Sequence, residues 1–557
     1  MRAKTLPALL AAATALPESA PANPPIRPSA ESARQNAFLI FNSVHSAMRQ
    51  WGSSLHHNGM ALIPATIPRG TVLFHGSHSN STPAPPEWLA FEMEHAENFA
   101  RSHPYFRHSS PSSSNPHPNA NPNPDPESHQ FQHTLNPPPQ PEPEPPTIGN
   151  TTRGYLHTFL TTRPINLLYI DGSAAAKTTV GTLDTQDYLL RLHDPNKTYP
   201  HDGDFLRAAE ICDVVKGWGY DGVVRMEIGF EVVWCRGFGG GEGEGGEGGD
   251  EGLERTSVTR SMGLENGGWD RKGGWEGVWR WVRAVGERYD GIGGGRVQLD
   301  FSRMVSGLWY PVNVTNPDEK RVAERLPRLA GATSEEREAM WARVAELAKR
   351  GDGEEEEERV DWQGVVDMVV SRYGQRLGYM ASEGIEDERF LREVFAATNA
   401  FFDYAPSLGD VTFAAMNKER VKEARRRCAA QHLFPVEWRR GKWTEEDKML
   451  YVAISHVTER ICETFFDIRV TLEEVQSAVT TMQDAVRLGQ KTVGELTAEL
   501  RWTTWKKCRG CAVDEVCFVA MWPFGRTVDH DSPGCLKQEV FESIKFREES
   551  YWDLWLR

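Results

Sequence analysis

The sequence predicts an α+β chain, with strands gathered in the N-terminal half and a mostly α-helical C-terminal half. Three observations predict it. Before residue 236, short apolar runs bounded by Gly and Pro recur at 60–63, 72–74, 88–91, 155–160, 167–170 and through 219–235. Runs of that length between turn-forming residues read as strands. From about residue 318 the apolar residues recur instead at helical spacing almost to the end, as in Val365, Met368, Val369 and Tyr373, or Tyr451, Ile454, Val457 and Ile461. Between the halves lie residues 237–252, almost wholly Gly and Glu, which read as a flexible acidic linker.

In chain order, Phe38, Phe41, Val44, Met48 and Trp51 predict one helix over 31–52 that packs on the sheet. The strand at 60–63 should stop at Pro64, since proline limits strand extension. Val72, Leu73 and Phe74 form a buried strand that ends in His75-Gly76. Trp88 to Phe91 reads as a strand, and from Glu92 a helix carries Ala96, Phe99 and Ala100 on one face. Residues 109–149 are dominated by Pro, Ser, Asn, His and Glu and are expected to be a disordered insertion. Asp204 is placed to cap a helix through Lys216, with Leu206, Ala209 and Val215 inward. Low complexity extends the linker to about 274, after which Trp275, Trp279 and Trp281 open a helical stretch. Residues 297–310 look strand-rich, Glu354 to Glu358 looks like a solvated loop, and Thr333 with Glu336 and Thr471 with Glu474 form capping-box patterns.

Composition narrows the function classes. A net charge of −16 argues against non-specific nucleic-acid binding. Arg2 and Lys4, the apolar run Leu6 to Leu16 and an Ala13-Thr-Ala15 site form a signal-peptide pattern over 1–20, too short to span a bilayer. The expected location is therefore secreted or extracellular, with no membrane partner. Sequons at Asn80, Asn150, Asn196 and Asn313 fit a glycoprotein. An even count of eight cysteines in such a chain favours disulfides. Cys212 and Cys235 are expected to tie a helix to the sheet, and Cys428 with Cys462 could bridge a helical hairpin. Cys508-Arg-Gly-Cys511 could be half of a zinc site, but its second half, Cys517 and Cys535, is not another Cys-x-x-Cys. Thiols oxidise in a secreted chain, which favours two disulfides, and a redox-active dithiol lacks the βαβ context it needs, so no metal is expected.

One ordered series of residues carries chemistry. It runs from the strand ending in His75-Gly76, through Trp88-Leu-Ala90 leading into a helix with Ala96 and Phe99, to Tyr220-Asp-Gly222 and a strand that holds Glu231 before Val-Val-Trp234. The series resembles the ADP-ribosyltransferase fold of the His–Tyr–Glu type, over residues 60–107 and 150–236. The resemblance implies split antiparallel sheets with flanking helices, and NAD as substrate. It implies His75 on a ribose, Gly76 giving backbone access to the nicotinamide amide, Trp88 stacking on nicotinamide, and Glu231 as the catalytic carboxylate with Glu227 as understudy. A carboxylate there would stabilise an oxocarbenium-like centre as the nicotinamide–ribose bond breaks. The family has Tyr where this chain has Trp88, a larger ring without the hydroxyl.

The predicted organisation is a signal peptide over 1–20, a transferase-like domain over 30–236, a linker over 237–274 and a cysteine-stapled helical domain over 275–557. The expected protein is of a secreted, fungal type and cleaves NAD, passing ADP-ribose to a protein acceptor or to water. The alternatives are a non-catalytic secreted binding protein on the same scaffold, or a zinc-dependent intracellular protein.

Overall fold

The computed structural model describes residues 26–100, 154–191 apart from 177 and 179, 203–239, 252–261, 272–286, 291, 295–317, 326–349, 359–404, 418–475, 481–544 and 550–552. The expected signal peptide, the insertion over 109–149, the sequons at Asn150 and Asn196 and the run Glu354 to Glu358 lie outside these residues.

Ten strands build one large sheet: β1 (Ala61–Ile67), β2 (Val72–Ser77), β3 (Glu87–Ala90), β4 (Tyr155–Thr161), β5 (Ile165–Ile170), β6 (Gly222–Met226), β7 (Phe230–Trp234), β8 (Leu253–Arg260), β9 (Gln298–Leu299) and β10 (Val305–Ser306). The strand order is β10-β1-β5-β6-β7-β3-β2-β4-β8, with β9 also on β1. All of these pairings are antiparallel except β5 with β6. Two split sheets were the expectation; the strands instead form one connected sheet, which narrows to a single registered pair, Phe74 with Ala90, between β2 and β3.

Two strand expectations need correction. Pro64 does not end β1: it lies opposite Leu168 inside the strand, and its carbonyl accepts from the amide of Asp300 at 2.8 Å. Pro lacks only a donor, so a strand tolerates it where the neighbour asks for an acceptor. The second is β8, which lies within the stretch assigned to the linker and pairs along β4. Its sequence, Leu-Glu-Arg-Thr-Ser-Val-Thr-Arg, is polar because an edge strand is held by its backbone and half-exposed on its faces. The strand-rich stretch near 300 is reduced to β9 and β10 joined by short 3₁₀ turns.

The helices are α1 (Ala30–Gln35), α2 (Ala37–Ser46), α3 (Gln50–Leu55), α4 (Met93–Glu97), α5 (Asp204–Gly217), α6 (Lys272–Gly286), α7 (Ser334–Lys349), α8 (Trp362–Met380), α9 (Asp387–Thr398), α10 (Lys418–Ala430), α11 (Phe434–Glu437), α12 (Glu445–Glu474), α13 (Met482–Leu500), α14 (Thr527–Asp531) and α15 (Gln538–Ser543). A small hairpin, β11 (Glu515–Phe518) with β12 (Gly534–Lys537), lies near the end. The single helix expected over 31–52 is three short ones: Asn36 caps α1 and breaks it from α2, and the chain turns between α2 and α3 at Met48, whose φ of 54° is left-handed. In α5 the cap position is Gly203 rather than Asp204, and Leu206 faces solvent, as does Met368 in α8.

Of the two expected capping boxes, Thr333 with Glu336 forms as read, at 3.2 and 2.7 Å. Thr471 and Glu474 fall within α12 instead, and the Thr471 hydroxyl donates to the Asp467 carbonyl. The box that starts α12 is Thr444 with Asp447. A threonine mid-helix can satisfy its hydroxyl on the preceding turn, which mimics a cap in sequence.

The core is continuous between the strand-rich and helical halves. It runs from Leu62, Tyr169 and Val224 in the sheet, through Ile40, Phe41 and Val44 of α2, to Val369, Ile461 and Leu496. Phe41 stacks on Trp502 at 5.5 Å. All eight cysteines are paired: Cys212 with Cys235, Cys428 with Cys462, Cys508 with Cys517 and Cys511 with Cys535. The first pair, with Cα atoms 5.3 Å apart, ties α5 to the strand end after β7 as the sequence suggested.

Candidate functional site

The narrow joint between β2 and β3 is where a cavity opens. His75 and Gly76 reach it from β2, Trp88 and Ala90 from β3, and Glu231 from β7. His95, Ala96 and Phe99 from α4 and its end close it from above. The four residues singled out from sequence thus line one space. Glu227, the alternative carboxylate, sits on the turn between β6 and β7 and is not part of that lining.

The geometry of each side chain follows from strand pairing. Glu87 to Ala90 lie opposite Trp234 to Glu231 in register, so Ala90 faces Glu231. On the other side of β7, Glu231 faces Arg225 of β6, and its Oε1 lies 2.9 Å from the Arg225 Nε. Arg225 also donates through Nη1 to Gln186 Oε1 at 2.9 Å. Both partners of this ion pair are almost wholly buried, at 1% and 2% exposure. A buried carboxylate is tolerated when a cation and hydrogen bonds accompany it.

His75 Nδ1 lies 2.9 Å from the Trp88 carbonyl oxygen. A carbonyl only accepts, so Nδ1 carries the hydrogen and Nε2 presents a lone pair. That Nε2 is buried and has no hydrogen-bond partner among the described residues. Burial pushes the His75 pKa down to about 3, against a smaller upward pull from the Trp88 carbonyl, so the ring is neutral. The site can therefore accept a hydrogen bond from a hydroxyl at that nitrogen.

Two residues escaped the sequence reading. Glu87 is fully buried, with Oε1 3.8 Å from His75 Nδ1, and burial raises its pKa to about 8. It is a neutral acid beside a neutral imidazole. His95 is buried as well, lowered to about 3 by desolvation, and its ring stacks on Trp281 of α6 at 4.7 Å. Nothing local marks either residue, because β7 buries Glu87 and α6 buries His95. The Arg225–Glu231 pairing was more legible. A three-residue turn at 227–229 sets Met226 against Phe230 and hence Arg225 against Glu231.

The Tyr-Asp-Gly stretch has an architectural explanation. Asp221 accepts from Nη1 and Nη2 of Arg163, at 2.8 and 2.9 Å, and from the amide of Asn166 at 3.0 Å. At Gly222 a Cβ would lie 2.2 Å from the Val233 carbonyl oxygen, so only glycine lets β6 and β7 approach.

The cavity is small. Its volume is about 30 Å³, space on the scale of ordered water rather than of a dinucleotide. Gly76 shows why: a Cβ there would meet the Ala96 carbonyl oxygen at 1.9 Å and the Ala100 amide nitrogen at 2.7 Å. The backbone of α4 and its end therefore lies directly on Gly76, where the resemblance would put nicotinamide. A wider cleft of about 1050 Å³ shares Phe74 with the cavity. Arg69, Arg280, Arg283 and Arg296 line it together with Glu92, Glu94 and Glu97.

The chain matches a family model described as the YPL277C N-terminal domain over residues 31–241, a span that holds all four cavity residues read from sequence. It is similar to Uncharacterized protein YOR389W of Saccharomyces cerevisiae, 27% identical over 553 residues, covering 88% of this chain and 83% of that protein. It is also similar to Uncharacterized protein YPL277C of the same yeast, 29% identical over 386 residues, covering 61% of this chain and 74% of that protein. No solved structure matches it.

Proposed function

We propose that the chain is a secreted protein with an ADP-ribosyltransferase-like site that cleaves NAD and passes ADP-ribose to a protein or to water. The observation that carries this reading is the convergence of His75, Gly76, Trp88 and Glu231 on one cavity at the weakest joint of the sheet. Glu231 supplies the negative charge that an oxocarbenium-like ribose needs. His75 supplies, through Nε2, an acceptor for a ribose hydroxyl. Trp88 offers a flat face for nicotinamide, and the wider cleft has the volume a dinucleotide requires. Four cysteine pairs at bonding distance support an oxidising destination.

For NAD to enter, α4 must lift from Gly76. That requirement is the specific observation favouring the second reading, a non-catalytic binding protein on the same scaffold with α4 permanently closed. Incubating the purified chain with NAD and measuring released nicotinamide decides between them. Release that Glu231→Gln abolishes supports the enzyme. An absence of both release and NAD binding by calorimetry supports the closed scaffold.

A further inference from the structure

Four sulfurs gather on the motif near the end of the chain. Cys508-Arg-Gly-Cys511 bends at Arg509, and Gly510 has a φ of +118°, a conformation that favours glycine. Cys517 on β11 and Cys535 on β12 lie directly opposite one another. Opposed residues of an antiparallel pair project from the same face with Cβ atoms about 4.5–5.5 Å apart. Yet these two are not bonded to each other. Each is bonded to one cysteine of the turn, Cys517 to Cys508 and Cys535 to Cys511.

Two disulfides require only that the sulfurs be close in pairs. Here three of the four are close across the pairs as well: the sulfurs of Cys508, Cys511 and Cys517 lie within 4.8 Å of one another, and Cys535 joins them through its bond to Cys511. Tetrahedral zinc holds sulfur at about 2.3 Å, which sets the sulfurs about 3.8 Å apart. A short Cys-x-x-Cys bend that presents two thiolates, beside two more from paired strands, is the donor set such a site uses. A second observation concerns charge. The backbone amide of Cys508 donates to the Cys517 sulfur at 3.1 Å, and such donors stabilise a thiolate. A third concerns access. Cys508, Cys511, Cys517 and Cys535 are half-buried, whereas Cys212, Cys235, Cys428 and Cys462 are at most 4% exposed. A reductant reaches the outer two bridges first.

We propose that, once the two outer disulfides are reduced, Cys508, Cys511, Cys517 and Cys535 hold one zinc ion as a four-thiolate structural site. Two equivalents of a dithiol reduce the two disulfides, each delivering two electrons and two protons and leaving as its own disulfide. The four resulting thiols then lose their protons to solvent as zinc binds, giving a complex of charge −2. Lys506, Lys507 and Arg509 place positive charge beside it in sequence. The rival ligand is Glu515, whose carboxylate lies within 4.8 Å of the Cys511 and Cys535 sulfurs but already accepts from the Ala512 amide at 2.9 Å. In either form the cross-links hold residues 508–511 to the hairpin, and the hairpin itself packs on α6 through Val516 and Phe518 against Trp279, Trp281 and Val282.

The full chain, reduced anaerobically with dithiothreitol, freed of it and supplied with zinc, should retain one zinc per chain by mass spectrometry after removal of the excess. Cobalt(II) in place of zinc should give the intense ligand-field band and thiolate charge-transfer of a tetrahedral four-sulfur site. This second reading needs no variant, so misfolding cannot obscure it. Cys511→Ser should lose the bound zinc, and Glu515→Gln should keep it. Reduced wild-type chain that retains no zinc overturns the proposal. So does a cobalt spectrum of fewer than four thiolates that Glu515→Gln abolishes, or zinc retained by the Cys508→Ser/Cys511→Ser double variant.

Discussion

Arg225 and Glu231 face each other on adjacent antiparallel strands and form an ion pair of 2.9 Å that is almost wholly buried. The pairing changes what a conservative substitution does. Read from sequence, Glu231→Gln removes charge and little else. In the structure it leaves a buried guanidinium without its counter-charge, a situation that costs about 3–5 kcal/mol. Glu231→Gln should therefore lose nicotinamide release by about 10²–10³-fold and also melt at a lower temperature. The Arg225→Met/Glu231→Gln double variant should recover much of the stability and none of the release. Thermal melts and a nicotinamide assay on both variants check this. Turnover regained in the double variant would remove Glu231 from the chemistry.

Glu87 makes a second prediction, on pH. Its pKa is about 8 in the folded chain, raised by burial above the ordinary carboxylate value of 4.5. Below about pH 4.5 both states hold the proton and nothing changes. Between the two values the unfolded chain has lost a proton that the folded chain keeps, so the group's contribution to stability falls as pH rises. The neutral amide of Glu87→Gln has no such dependence. The melting temperature of the wild type minus that of Glu87→Gln should fall steadily between pH 5 and pH 8. A difference that stays flat over that range would mean that Glu87 ionises normally.

These two residues mark how far the sequence could be read. Glu231 stood out because a carboxylate inside Phe-Glu-Val-Val-Trp has to be explained, and His75-Gly76 because it interrupts an apolar strand. Glu87 follows Pro85-Pro86 and reads as loop polarity; only its pairing opposite Trp234 buries it. The strand β8 was missed for the complementary reason, since an edge strand held through its backbone needs no apolar alternation. The break at Met48 left no trace in the spacing of Phe41, Val44 and Trp51, all of which are buried although they belong to two helices. Local pattern reported which residues are apolar or out of place. Distant chain decided which of them became buried.

The inner disulfide between Cys212 and Cys235 closes a separation of 23 residues, with both cysteines buried. Cross-linking a loop of that size restricts the unfolded chain by about 3 kcal/mol in the chain-entropy account. Cys212→Ala/Cys235→Ala should lower the guanidinium unfolding midpoint accordingly. An unchanged midpoint would show that α5 is held to the sheet by its apolar face alone.

Gly76→Ala tests the closed state of the cavity. The new methyl would meet the Ala96 carbonyl oxygen at 1.9 Å and the Ala100 amide nitrogen at 2.7 Å. Both are backbone atoms, so no side chain can swing aside, and α4 itself must shift. Overpacking of this kind typically costs about 1–3 kcal/mol. The variant should melt at a lower temperature, and the amides of α4 should exchange with solvent hydrogen faster than in the wild type. Release of nicotinamide should fall as well, because the methyl occupies the space that lifting α4 would open. In the wild type, NAD should likewise speed exchange in α4 if entry requires α4 to lift. Unchanged exchange with saturating NAD, together with measurable nicotinamide release, would mean that NAD reaches Glu231 by another route, the cleft beyond Phe74 being the nearest.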